Sequence, residues 1–155
     1  MENVSRERDV VDLLFQYSEC IDTRRFDRLS EIFTADAEVD LGFGVWRSLE
    51  EIIGGYQQLL ADIEGTAHSI SNIRLRLDDA SGYSTAYVHA WHWIRRGGSV
   101  AVHRPADFLF VALYRDELVK IDEVGWRISR RRARRVGPTA LALGSLPDSM
   151  IPSQG

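Results

Sequence analysis

A chain of 155 residues has room for one hydrophobic core and little more. A composition of 45% hydrophobic and 27% charged residues is that of a globular protein and excludes a disordered one, and a formal net charge of -4 gives no basis for a polyanionic partner such as nucleic acid. The single cysteine, Cys20, excludes an intrachain disulfide and a cysteine-based zinc site and suits a reducing cytosol.

The opening residues 1–9 are polar and no apolar stretch of signal-peptide length follows them. No apolar run approaches the roughly 20 residues of a membrane span. A cytoplasmic protein without a membrane partner is expected. Val10, Leu14, Tyr17 and Ile21 recur at helical spacing, with Val11, Phe15 and Ser18 widening the stripe, and predict a first helix over residues 5–22. Phe26, Leu29, Ile32 and Phe33 predict a second, short helix, and residues 38–41 alternate like a short strand until Gly42 and Gly44 break it. Ser48-Leu49-Glu50-Glu51 matches a capping box, in which serine and glutamate satisfy free N–H groups at a helix start. The apolar face Leu49, Ile52, Ile53, Tyr56, Leu59, Leu60 and Ile63 follows, with Gly65 as the stop of a third helix.

From Ala67 the period is two. Ile73, Leu75 and Leu77 alternate with arginines up to a turn at residues 78–82, and residues 83–94 form an aromatic-rich strand turned back at Arg96-Gly97-Gly98. Residues 106–114, 119–121 and 126–134 supply further antiparallel strands. The tail after Gly137-Pro138 packs loosely, which divides the chain into a domain over residues 1–136 and a tail over 137–155. Helices followed by hairpin-linked strands predict an α+β class, with three N-terminal helices against one face of a strongly curved, mostly antiparallel sheet, a cone-shaped α+β barrel.

With these elements in order, the chain resembles the nuclear transport factor 2-like superfamily and, within it, the SnoaL-like group that includes dehydratases and a dehydrochlorinase. The resemblance covers roughly residues 10–135. It is carried by residues 17–22 followed by Phe26-Asp27-Arg28-Leu29, by Phe33-Thr34-Ala35-Asp36-Ala37, by the strand start Ala67-His68-Ser69-Ile70-Ser71-Asn72, and by Gly125-Trp126-Arg127-Ile128. The superfamily's functions are diverse, so the fold alone fixes no reaction.

The resemblance implies that Asp22 and His68 form a catalytic pair. The chemistry is sound: an imidazole titrates near neutral pH and can accept a proton from carbon or oxygen, and a carboxylate on its other nitrogen fixes the tautomer and stabilises the imidazolium. The alternative is a polar helix end and a core histidine bonded to backbone. Tyr17 matches a pocket tyrosine of the group, although it lies about 140° around the helix from Asp22; a core tyrosine is the competing reading. Tyr83, Thr85, Tyr87, His89, Trp91 and Trp93 share one strand face, with His92 on the other. That face reads as the pocket wall, with His89 and Trp91 binding substrate, or else as a dimer interface. Among the arginines of residues 127–135, Arg134 corresponds by its spacing from Trp126 to a pocket arginine of the group, with Arg132 as a substitute; the rest read as a solvated edge and intersubunit salt bridges, since alternate residues of a strand cannot form one nucleic-acid patch. The histidines and nearby acids lack metal-ligand spacing, so no metal and no cofactor is expected.

The expectation is a lyase that needs no cofactor, a dehydratase for a hydrophobic cyclic or polyketide-like small molecule. Isomerisation or cyclisation would use the same groups, and a non-catalytic small-molecule-binding protein is the reading from another class. A homodimer or homotrimer is expected from the resemblance.

Overall fold

The structure is a computed structural model and describes residues 2–96, 104–137 and 140–141. Its elements are helix α1 (Glu2–Asp22), a 3-10 helix (Phe26–Glu31), strands β1 (Phe33–Asp40) and β2 (Val45–Trp46), helix α2 (Leu49–Leu59), and strands β3 (Ile63–Leu77), β4 (Ser81–Ile94), β5 (Phe108–Ile121), β6 (Gly125–Arg135) and β7 (Ala140–Leu141). The sheet runs β2-β1-β6-β5-β4-β3, with β7 added against β5. Every pairing is antiparallel except that of β1 with β6. The expected α+β class holds: the helices pack against one side of a long curled sheet.

Helix α1 forms because Val10, Leu14, Tyr17 and Ile21 place one apolar stripe against the sheet, and all four are buried. Leu13 and Cys20 widen that stripe, whereas Phe15, expected there, is 48% exposed. The helix stops without a glycine. Arg24 takes a left-handed backbone (φ 61°), and the Arg25 and Arg24 amides donate to the carbonyls of Cys20 and Ile21 at 2.9 and 3.2 Å. These are the two bonds of a Schellman stop.

Several details differ from the sequence expectation. Phe33, expected in the second helix, opens β1, which begins five residues before the expected strand. Helix α2 ends at Leu59, and Ile63 and Gly65, expected as its end and stop, pair with Ile94 and Trp93 at the start of β3. The two strands expected within residues 106–121 are one, because the alternation continues through charged residues: Tyr114, Asp116 and Leu118 are buried while Arg115 is exposed and Glu117 and Val119 are half-buried. Ser48 does accept a bond from the Glu51 amide at 3.1 Å, but the Glu51 carboxylate reaches the amide of Arg47, not that of Ser48. The glycine turn expected at 97–98 and most of the tail lie outside the described residues.

The curvature decides which side chains line the interior. On β4 the residues Ser84, Ala86, Val88, Ala90 and His92 are buried on the concave side, while Tyr83, Thr85, Tyr87, His89, Trp91 and Trp93 point outward. Small side chains on a concave face leave room between sheet and helices, and that room is the pocket.

Candidate functional site

The end of α1 delivers Asp22 to the start of β3. Its Oδ1 accepts from the Thr66 hydroxyl at 2.8 Å and its Oδ2 from the His68 backbone amide at 2.9 Å. Arg24 ties the arrangement down, donating to the Thr66 hydroxyl (2.9 Å), to the Ile21 carbonyl (2.6 Å) and to the Ile63 carbonyl (3.2 Å). His68 Nδ1 then lies 2.6 Å from Asp22 Oδ1. A carboxylate only accepts, so Nδ1 carries the hydrogen, and in the neutral ring Nε2 holds the lone pair. Burial would raise the Asp22 pKa, but the bonds from His68 and Thr66 outweigh it and hold the carboxyl below the usual range.

His68 stands on the wall of a cavity of about 200 Å³ enclosed by α1, α2 and the concave side of β4, β5 and β6. Asp22 does not line that cavity; it braces the far side of the imidazole. This resolves the angular problem between Tyr17 and Asp22: only Tyr17 faces the pocket, with its ring 6.5 Å from that of His68.

Most of the wall is apolar, from Ile21, Leu41, Phe43, Leu60, Val88 and Phe110. Its polar groups are few. Tyr17, Tyr56 and Tyr114 converge, with the Tyr17 hydroxyl 2.7 Å from that of Tyr56 and 3.5 Å from that of Tyr114. Burial pushes all three phenols well above their ordinary pKa, so they remain protonated donors. Behind them Arg131, fully buried, makes two 2.8 Å bonds to Asp116 and sets its guanidinium carbon 4.1 and 4.4 Å from the ring centroids of Tyr17 and Tyr114.

His92 is the second histidine of the pocket. Its Nδ1 is 2.9 Å from the Ala90 carbonyl, its ring stacks on Phe108 at 4.4 Å, and it lies 6.2 Å from His68. Burial, helped by the neighbouring His68, pushes its pKa down to about 3. It is a neutral ring with an unprotonated Nε2.

The site residues expected from sequence divide accordingly. Asp22, His68 and Tyr17 come together. His89 and Trp91 do not join them: they stack on each other at 6.1 Å on the outer side of the sheet. Arg134 and its substitute Arg132 are exposed on the outer side too, and Arg135 lines the pocket instead. The reason is a register shift between Glu117 and Leu118 of β5, where Leu118 pairs with Ile128 but Glu117 with Arg130. The extra residue reverses the alternation in β6, so counting from Trp126 gives the wrong face beyond it. Tyr56, Tyr114, His92 and Arg131 were not read from sequence as site residues; the alternation of small residues Ser84, Ala86, Val88 and Ala90 was the available signal for the concave face. Among the described residues no group of three or more histidine, cysteine, aspartate or glutamate side chains could hold a metal ion, and no helix is long and apolar enough to cross a membrane.

A curled sheet closed by helices over a cavity, with a histidine in its wall braced from behind by a carboxylate, defines a class of cone-shaped proteins built around a small pocket. Within that class the chain belongs to the SnoaL-like domain family, whose match covers residues 2–132. Uncharacterised proteins of Mycobacterium tuberculosis and Mycobacterium bovis are 32% identical over 136 residues, 83% of this chain and 84% of theirs. Among solved structures, a Kribbella flavida protein superposes with a TM-score of 0.78 at 21% identity, covering 89% of this chain and 95% of that one. A scytalone dehydratase-like protein of Novosphingobium aromaticivorans gives 0.77 at 22% identity, covering 92% and 91%. A hexachlorocyclohexane dehydrochlorinase gives 0.75 at 19%, covering 94% and 96%. At these identities the structural likeness establishes the fold.

Proposed function

We propose that this protein is a lyase that needs no cofactor, a dehydratase acting on a hydrophobic cyclic or polyketide-like small molecule, with His68 as proton carrier and Asp22 as its orienting partner. The observation that carries the reading is the 2.6 Å contact between His68 Nδ1 and Asp22 Oδ1 with the ring on the wall of a mostly apolar cavity. The cavity's size supports a substrate of one or two rings, since about 150 Å³ accommodates benzene. The dehydratase-like and dehydrochlorinase structures that share the fold support elimination chemistry over isomerisation or cyclisation.

The step balances on one imidazole. Nε2 takes the proton from the carbon beside a carbonyl, and the electron pair left behind forms an enolate. That pair closes the carbon–carbon double bond as the β carbon–oxygen bond breaks, and the proton on Nε2 passes to the departing oxygen, releasing water. Asp22 retains the Nδ1 hydrogen throughout and stabilises the imidazolium between the two transfers.

The test is His68→Gln assayed with cyclic β-hydroxy ketones. Turnover should fall by about two to four orders of magnitude while the fold and ligand affinity survive. Undiminished turnover in that variant would sink the mechanism, and ligand binding without turnover in the wild-type protein would make it a binding protein.

A further inference from the structure

We infer that Arg24 and Thr66 are positioning residues of the Asp22–His68 pair: the guanidinium fixes the Thr66 hydroxyl, and the hydroxyl fixes the carboxylate plane that orients the imidazole. The catalytic consequence rests on the proposed function, but a readout on the imidazole hydrogen needs no substrate.

The carboxylate of Asp22 is held by β3 at three points. Oδ2 accepts from the His68 backbone amide, and Oδ1 accepts from the Thr66 hydroxyl and from the His68 ring. The amide alone would leave the carboxylate free to pivot about Oδ2, carrying the imidazole with it. A donor that does not move with the ring is needed at Oδ1, and among the described residues Thr66 supplies it. Two fixed donors, one on each oxygen, then set the plane.

The hydroxyl is constrained in turn. Thr66 is buried and branched at Cβ, which restricts its rotamers. Its oxygen lies 2.8 Å from Asp22 Oδ1 and 2.9 Å from Arg24 Nη1. A carboxylate accepts and a guanidinium donates, so the single hydrogen points to Asp22 and a lone pair to Arg24. Donation by a cation polarises the O–H bond towards the carboxylate and strengthens the second bond. Arg24 thus holds Asp22 through a hydroxyl and not by a direct ion pair, which leaves the carboxylate charge to His68.

The constraint originates in Arg24. Its guanidinium also donates to the carbonyls of Ile21, in the last turn of α1, and Ile63, at the start of β3. Those two elements carry Asp22 and His68, so one side chain fixes their spacing. The backbone of Arg24 is left-handed (φ 61°), the conformation that glycine adopts most easily. The stop of α1 uses only backbone amides and carbonyls, and a glycine would serve it as well. What arginine adds at this position is the guanidinium.

The test compares Thr66→Val, which removes the hydroxyl, with Thr66→Ser, which keeps it, and adds Arg24→Gly, which keeps the helix stop. Proton NMR follows the exchange with water of the His68 Nδ1 hydrogen, identified by its loss in His68→Gln. Exchange should quicken about tenfold or more in Thr66→Val and Arg24→Gly, stay within about threefold in Thr66→Ser, and leave the β5 amides unchanged. Should Arg24→Gly fail to fold, the two threonine variants carry the comparison. An unchanged rate in Thr66→Val overturns the inference. So does a wild-type hydrogen that exchanges too fast to observe, or a matching rise in the β5 amides, the mark of general loosening. With cyclic β-hydroxy ketones, kcat should fall about tenfold to hundredfold in Thr66→Val and Arg24→Gly, with KM within about twofold. The double variant should be no slower than the slower single one, because both residues act along one path; losses that multiply would overturn it. The two proposals fail separately. If no carbonyl compound is turned over but the hydrogen responds to Thr66 and Arg24, the lyase reading fails and the positioning stands. If turnover depends on His68 while exchange is indifferent to both residues, the positioning fails alone.

Discussion

Replacing His92 by phenylalanine should flatten the acid side of the protein's stability profile. In the folded state His92 is held neutral down to about pH 3 by burial and by the His68 ring facing it across the pocket, with Arg24 adding more weakly; the Ala90 carbonyl and Asp22 act in the opposite direction and do not outweigh them. In the unfolded chain the same ring titrates near 6.5. Between those values the unfolded state binds the additional proton, so stability falls as pH falls, at about 1.4 kcal/mol per pH unit. From well above pH 6.5 down to about pH 5 the loss amounts to about 2 kcal/mol, a sizeable share of an ordinary domain's stability of about 5–15 kcal/mol. Phenylalanine retains the stacking on Phe108 and cannot take a proton. Urea unfolding of both proteins at neutral pH and at about pH 5 isolates the effect, because every other titrating group is common to them and cancels in the double difference. The wild type should lose about 2 kcal/mol more than His92→Phe. Equal losses would show that the ring is protonated in the folded state and refute the reasoning.

Asp22→Asn should preserve the fold but lower kcat by about two to four orders of magnitude, because an amide can no longer fix the Nδ1–H tautomer or stabilise an imidazolium. The same carboxylate contributes stability that is complete above the ordinary carboxylate range and is lost as pH falls through its lower folded value; thermal unfolding below about pH 4 should show that loss in the wild type and not in the asparagine variant. Arg131→Met should destabilise by about 3–5 kcal/mol by leaving Asp116 charged and buried, while Arg131→Met combined with Asp116→Leu should recover most of that; equal denaturation midpoints for the single and double variants would contradict it. In α2, Gly55→Ala would drive a Cβ into the Trp46 ring and should cost about 1–3 kcal/mol, whereas Gly54→Ala meets nothing within 4 Å and should add up to about 1 kcal/mol of helix stability, both read from urea midpoints.

The parts of this fold that were legible in sequence are those governed by local period and local chemistry. The stripe Val10, Leu14, Tyr17, Ile21 and the Ser48 cap follow from helix geometry, and residues 73–77 and 83–94 from strand alternation. What was hidden depends on non-local facts. The end of α1 uses Arg24 in a left-handed conformation where glycine is the usual signal, and Arg24 tolerates it because its guanidinium bonds Ile21, Ile63 and Thr66. Period two gives two faces to β4 but does not say which is concave, and aromatic residues argue for burial in either sense; only the curvature of the assembled sheet assigns the inside to Ala86, Val88 and Ala90. The register shift opposite Ser129 has no signature in residue types, yet it moves Arg131 into the core and Arg134 out of it. The Asp22–His68 contact was legible through position in a resembled pattern, not through spacing, since 46 residues separate the two.

The pocket's polar groups are ordered by what each can do with a proton. His92 donates Nδ1–H to a carbonyl that only accepts, and burial keeps its Nε2 bare, so it offers a fixed acceptor. The tyrosines, kept protonated, offer a fixed donor. Among the described histidines only His68 has its far nitrogen on a carboxylate. Were His92 also protonated, two imidazolium rings would face each other at 6.2 Å in a poorly solvated space, and each would oppose the other's charge. Holding His92 neutral therefore keeps a second positive charge out of the pocket. It follows that His92→Phe, beyond flattening the stability profile, should leave His68 the one imidazole among the described residues of the pocket and still able to turn over substrate. A ligand hydroxyl that His92 accepts would bind more weakly in that variant, which would appear in KM before it appeared in kcat.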